Sequence, residues 1–234
     1  MPEPRRRVAV LTRHREDNAA LAGQLRASGT EVIELPCVRT EQLEDVSELA
    51  VAIRELAADD WLVVTSRAGA DAVARAARPS ARVAAVGRVT AARLETHGVA
   101  VTYVPPTPSG AVLARGLPLA RVALLARSDR ALTDLPEILR ARGFEVREVM
   151  AYRTDPRADG DLAPVRSALA DWMRDVHVFV ASPSAVEAFA IATGELAANA
   201  TFHVAGSATE AFARIRVPLA RIQRAEEGFD VVDT

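Results

Sequence analysis

Residues 7–40 read RVAVLTRHREDNAALAGQLRASGTEVIELPCVRT, and residues 121–154 read RVALLARSDRALTDLPEILRARGFEVREVMAYRT. Laid on each other without a gap, Arg7 onto Arg121, a shift of 114 positions, they agree at Arg7/Arg121, Val8/Val122, Ala9/Ala123, Arg13/Arg127, Leu21/Leu135, Leu25/Leu139, Arg26/Arg140, Ala27/Ala141, Gly29/Gly143, Glu31/Glu145, Val32/Val146, Glu34/Glu148, Arg39/Arg153 and Thr40/Thr154. Each stretch opens in a short apolar run, passes through an amphipathic segment closed by a glycine, and ends in a second β-rich run. That order is a strand, a helix and a strand, so the duplicated unit is α/β.

A second pair of repeats lies outward from the first. Trp61-Leu-Val-Val-Thr65-Ser66 through Val73 matches His177-Val-Phe-Val-Ala-Ser182 through Phe189, and Val86-Gly87-Arg-Val-Thr90 matches Ala205-Gly206-Ser-Ala-Thr209. The chain therefore runs A, B, A′, B′, and one A plus one B is about the size of a small domain, which gives two similar lobes. Further apolar runs at 82–86, 99–104 and 220–223 read as strands, and amphipathic stretches at 47–57, 68–77, 89–97, 164–174 and 185–192 read as helices. Near-continuous apolar strands between helices mean parallel sheets covered on both faces. The sequence alone leaves open whether A pairs with B or with B′.

The 234 residues are 50% hydrophobic, enough to bury a core without disulfides or metal. Lys+Arg 29 against Asp+Glu 31, with no like-charge block beyond Arg5-Arg6-Arg7, argues against a nucleic-acid or membrane surface. Every basic residue is Arg, which excludes Walker P-loop NTPases, Schiff-base lysine enzymes and typical protein kinases. A single cysteine, Cys37, forbids an intrachain disulfide and fits a reducing compartment, with the cytoplasm as the expected location. No apolar run reaches spanning length, and the N-terminus lacks a signal-peptide core. The four His stand far apart, so no metal site and no cofactor is expected. GxGxxG after a strand, GxSxG, CxxC and HExxH are all missing.

The polar identities of the repeat point to a site. Ser66 and Ser182 each follow a strand and precede a helix, where a hydroxyl caps the helix and free N–H groups favour an anion. Pro183 suits the first helical position. Gly87 and Gly206 likewise follow strands, with Thr90 and Thr209 three residues on. Four helix openings at strand carboxyl ends suggest a cleft for a ligand with several carboxylates or phosphates. Arg13 and Arg127, at the ends of matched strands, and Arg67 and Arg88, at helix starts, could each fork onto a carboxylate.

The segments around Thr65-Ser66, Gly87-Arg-Val-Thr90, Gly143 through Tyr152-Arg-Thr154, and Ser182-Pro183-Ser184 resemble the uroporphyrinogen-III synthase family in order and spacing. The resemblance spans about residues 7 to 215, and the stretch after Thr209 departs from the family's usual strand and Leu-rich helix. It implies two parallel-sheet lobes joined by a two-stranded hinge, with A paired to B′. Lobe 1 is then 1–36 with 155–234, lobe 2 is 41–150, and 37–40 and 151–154 are the hinge strands. It implies a monomeric, cofactor-free lyase that closes hydroxymethylbilane with inversion of ring D and loss of water. Its site residues here would be Arg13, Thr65, Ser66, Gly87, Thr90, Arg127, Ser182, Ser184, Gly206 and Thr209 for substrate, with Tyr152 as general acid. Two other readings fit the same repeats: a non-catalytic two-lobed binder of a small polyanion, and a bilobal nucleotide-sugar transferase.

Overall fold

A computed structural model describes residues 5–225; the divergent C-terminal stretch 226–234 lies outside the described residues. In chain order the elements are β1 (Arg6–Leu11), α1 (Arg15–Ala27), β2 (Glu31–Glu34), β3 (Val38–Gln42), α2 (Ser47–Arg54), β4 (Trp61–Val64), α3 (Arg67–Ala76), β5 (Arg82–Ala85), α4 (Arg88–Thr96) and α5 (Gly110–Gly116). There follow β6 (Val122–Ser128), α6 (Asp134–Ala141), β7 (Glu145–Pro156), α7 (Ala163–Ala170), β8 (Arg174–Val180), α8 (Pro183–Thr193), a 3-10 turn (Gly194–Asn199), β9 (Ala200–Val204), α9 (Ser207–Arg216) and β10 (Arg221–Arg224).

The described residues up to Arg39 and from Asp155 onward form one compact unit, and Thr40–Thr154 forms the other. The first holds a sheet in the order β10-β9-β8-β1-β2, and the second a sheet in the order β3-β7-β6-β4-β5. The first A repeat thus shares a sheet with the second B repeat. All four pairings of the first sheet are parallel, as are β5-β4, β4-β6 and β6-β7 of the second. Equivalent strands of the repeat take equivalent places: β1 with β6, β2 with β7, β8 with β4, and β9 with β5. Each sheet therefore reverses its strand order once, between β1 and β8 in one unit and between β6 and β4 in the other. Such a reversal parts the connecting loops at the carboxyl ends of two neighbouring strands and leaves a crevice for ligands.

Burial explains the strands. Val8, Val10, Leu62, Val63, Val64 and Leu124 have no accessible surface, because helices cover both faces of each sheet. A fully buried Val or Leu is worth about 1.5–3 kcal/mol. At the amino edge of the second sheet, the buried Asp60 carboxylate accepts from Val122 N and Ala57 N, both at 2.9 Å, and fixes the register of β4 against β6. Gly29 and Gly143 end α1 and α6 with φ of 81° and 91°, a left-handed conformation that suits glycine.

Two expectations need correction, and one element was not expected. Residues 99–104 form no strand; only Tyr103 bridges to Ala84, in the place that β10 occupies in the other sheet. Pro105 and Pro106 follow at once and cannot donate to a ladder. The helix expected to reach Arg174 stops at Ala170, because Asp171 accepts from Met173 N at 3.0 Å in a turn that launches β8. Helix α5, unforeseen, starts at the side chain of Ser109, which accepts from Val112 N.

Candidate functional site

In the second unit the carboxyl edge is built by the loops after β4, β5 and β6. Ser66 is the N-cap of α3, and its Oγ accepts from Gly69 N at 2.9 Å, so α3 opens its remaining first-turn N–H groups at the end of β4. Thr65 precedes it, half-buried. Gly87 is the extended N-cap of α4, with Thr90 buried beneath it. A Cβ at Gly87 would lie 2.9 Å from Pro108 Cβ, so glycine is what allows the 107–109 loop to close over this helix start. A shallow groove of about 410 Å³ runs beside α4, between Arg88, Glu95, Val104 and Pro105.

The carboxyl edge of the first unit repeats the plan. Ser182 caps α8 and accepts from Ala185 N at 3.3 Å, with Pro183 at the first helical position and Ser184 beside it. Gly206 is the extended N-cap of α9, and no heavy atom lies within 4 Å of where its Cβ would be. Thr209 is buried, as Thr90 is. Across the order reversal, Thr12 donates to Phe179 O at 2.7 Å, and Asn18 donates to Arg13 O at 2.8 Å. Those bonds hold the backbone of the turn that carries Arg13.

The repeat-matched arginines have separated. Arg13 is exposed, and among the described residues its guanidinium has no partner. Arg127 is 7% exposed; its guanidinium donates to Glu148 and to the carbonyl of Leu132, and its buried Nε is left without a partner. Arg140 also donates to Glu148, at 2.6 Å. Burial pushes the Glu148 carboxyl up, but the hydrogen bonds and charges of Arg140 and Arg127 outweigh it and hold the group below the usual carboxylate range. The counterpart pair Arg26–Glu34 stands at 3.1 Å in the first unit. Arg127 is thus committed to structure, whereas Arg13 is available to an anion.

Tyr152 lies near the end of β7, opposite Ser128, with its ring packed among the buried residues of the second unit and 7% exposed. Among the described residues its hydroxyl has no hydrogen-bond partner. Cys37, on the matching stretch of the first unit, is buried, which pushes its thiol up to about 12 and makes it unreactive. Tyr103 packs edge-on to Trp61 and serves the core.

Comparison with known proteins fits this arrangement. The model of the family described as uroporphyrinogen-III synthase HemD matches residues 19–224. The chain belongs to that family. The uroporphyrinogen-III synthase of Synechococcus elongatus is 27% identical over 157 residues, covering 62% of this chain and 60% of that protein. The porphyrin biosynthesis protein HemD of Ruminiclostridium josui is 24% identical over 160 residues, covering 62% of this chain and 32% of that protein. The aligned region is thus less than two thirds of either relative. A crystal structure of uroporphyrinogen III synthase from the extreme thermophile Thermus thermophilus, a mutant form, superposes with a TM-score of 0.57 at 22% identity, covering 96% of this chain and 94% of that one. It has the same fold.

Within this family frame, sequence reasoning missed three residues. Ser109 caps the short α5 beside Gly87, Glu148 ties Arg127 to Arg140, and Asp129 accepts from Thr154 N at 2.8 Å. Only Ser109 had a local signal, a serine ahead of a short apolar run. Among the described residues, no group of three or more His, Cys, Asp and Glu side chains is placed to hold a metal, and no helix is long and apolar enough to cross a membrane.

Proposed function

We propose that this protein is a uroporphyrinogen-III synthase, acting as a cytoplasmic monomer that converts hydroxymethylbilane, a linear tetrapyrrole with eight carboxylates, to uroporphyrinogen III and water. The observation that carries this reading is the doubled carboxyl edge. Each unit opens two helix N-termini at its own carboxyl edge, at Ser66 and Gly87 in one and at Ser182 and Gly206 in the other, and each edge suits carboxylates. Arg13, on the edge of the first unit, brings a guanidinium with no partner among the described residues, and Thr65, Ser184 and the hydroxyls of Thr90 and Thr209 lie at the same helix starts.

In this reading the protein mainly positions. Backbone N–H groups hold carboxylates without placing full charges near the reacting ring, and they keep the chain folded so that closure on the inverted ring outruns spontaneous closure. Departure of the terminal hydroxyl as water needs one proton. The Tyr152 phenol donates it, while a pyrrole nitrogen lone pair expels the hydroxyl and leaves an azafulvenium cation beside the phenolate. Attack by the substituted carbon of ring D gives a spiro intermediate, which reopens and closes in the inverted sense. The proton lost when ring D regains aromaticity restores the phenol.

Incubation of the purified protein with hydroxymethylbilane, followed by oxidation and separation of the uroporphyrin isomers, tests this. Isomer III in excess over isomer I is the expected result. Isomer I alone, at the spontaneous rate, would leave a binding protein and remove the enzyme.

A further inference from the structure

Strand β7 leaves regular pairing at one place. Arg127 of β6 pairs with Met150, and the next partners are Ser128 and Tyr152, so Ala151 is an extra residue on β7. Before this bulge the strand alternates. Val146 packs toward α5 and α6 with Leu113 and Leu139, and Glu148 reaches Arg140 of α6, while Val149 faces the core of Leu49, Leu62 and Val73. Strict alternation would place Tyr152 with Met150 on the α6 side, where Met150 is 42% exposed. Instead Tyr152 lies with Val149 and Ala151 in the opposite core. One inserted residue re-aims the side chain, as bulges do.

The loop at residues 128–133 carries the bonds around this bulge. Ser128 Oγ accepts from Arg130 N at 3.2 Å, and Arg127 grips the carbonyl of Leu132 at the loop's far end. Asp129 Oδ1 accepts from Thr154 N at 2.8 Å, two residues beyond Tyr152 and at the last residue of this unit. The bulged Ala151 is thereby flanked by ties to β6 and its loop, the Arg127–Met150 pairing before it, and the Ser128–Tyr152 pairing and the Asp129 bond after it.

We infer that Asp129 is the positioning residue of Tyr152, holding the end of β7 in the bulged register so that the phenol meets the reacting hydroxyl. The inference rests on the reading of Tyr152 as the acid. Asp129 itself need not touch the substrate.

A double-mutant cycle of Asp129→Ala with Tyr152→Phe, read as single-turnover formation of uroporphyrinogen III, tests it. In the otherwise native protein, Asp129→Ala should slow turnover by about tenfold, within the range for a misplaced catalytic group. Asp129→Asn, whose amide oxygen still accepts, should restore most of the rate. In the Tyr152→Phe background the same change should cost nothing more, an outcome that a general loss of structure would not give. Should Asp129→Ala fail to fold, Asp129→Glu, which carries its carboxylate one methylene further out, completes the cycle in its place. Equal slowing in both backgrounds, or a native rate for Asp129→Ala beside a slow Tyr152→Phe, overturns the positioning role. A native rate for Tyr152→Phe removes the acid, and the inference with it.

Discussion

Arg13 and Arg127 hold the same position in the repeat, yet their surroundings give opposite outcomes when each is replaced by Met, which keeps length and removes charge. Arg127 is buried and bonded to Glu148 and Leu132 O. Breaking a buried pair costs about 3–5 kcal/mol when the partner charge is stranded. Here it is not stranded, because Glu148 is 35% exposed and still held by Arg140 at 2.6 Å. Removing the unpartnered Nε also relieves a desolvation penalty of about 1–3 kcal/mol. The net loss should be about 2 kcal/mol, which in a chain of this size lowers Tm by roughly 4–8 °C. Arg13 is exposed and unpaired among the described residues, so Arg13→Met should change stability by no more than about 0.5 kcal/mol. If its guanidinium holds a substrate carboxylate, about 1 kcal/mol of binding goes with it, and KM rises about fivefold. Scanning calorimetry and steady-state kinetics on both variants separate the roles. An unchanged Tm with a raised KM for Arg127→Met would refute the reasoning, as would a lowered Tm for Arg13→Met.

The two N-cap glycines should also part company. Gly87→Ala puts a methyl 2.9 Å from Pro108 Cβ and should cost about 1–3 kcal/mol in thermal melts, whereas Gly206→Ala meets nothing within 4 Å and should melt as the native protein does while raising KM. Equal melting temperatures would contradict the close approach at Gly87. His203 gives a pH test. Burial first, then the charge of His177 at 2.8 Å, outweigh Asp175 and bring it down to about 4 from 6.5. Between those values the unfolded chain binds the extra proton, so stability should fall as pH drops from about 6.5 to about 4 and flatten below that. Urea melts across this window should show a shallower slope for His203→Gln, and parallel slopes would exclude His203 as the source.

How much of this was legible in the sequence follows from the range of each interaction. The alternation of apolar runs with amphipathic ones gave the α/β class, and the identities between 7–40 and 121–154 gave the duplication, because both record burial along a local stretch. The caps at Ser66 and Ser182 were equally readable, since each bond spans three residues. Apart from the local turn at Asp171 and the cap at Ser109, what failed needed partners far along the chain. Residues 99–104 have strand composition, but only Thr102 and Tyr103 bond to β5, too short a contact to make a strand. The commitment of Arg127 depends on Glu148, 21 residues away, and nothing near Arg127 separates it from Arg13. The bulge at Ala151 had no signal either, because Val149, Ala151 and Tyr152 are all residues that strands accept on either face.

The departures from symmetry gather at one place. On the repeat alignment, β2 and β3 together cover the positions of β7, but in the first unit this stretch breaks at Leu35-Pro36-Cys37, where Pro36 lacks the N–H that a continuous ladder needs. In the second unit Met150 stands at that position, the strand continues for twelve residues, and the irregularity is a bulge instead of a break. Val38 occupies the position of Tyr152, and Arg13 has no partner among the described residues where Arg127 is locked. A duplicated scaffold gives each unit a similar carboxyl edge with two helix N-termini, a feature that repetition carries along. On the proposed reading of Tyr152 as the acid, proton donation to a single hydroxyl needs one phenol only, and the break, the bulge and the locked arginine all lie around the repeat position where the second unit has Tyr152 and the first has Val38.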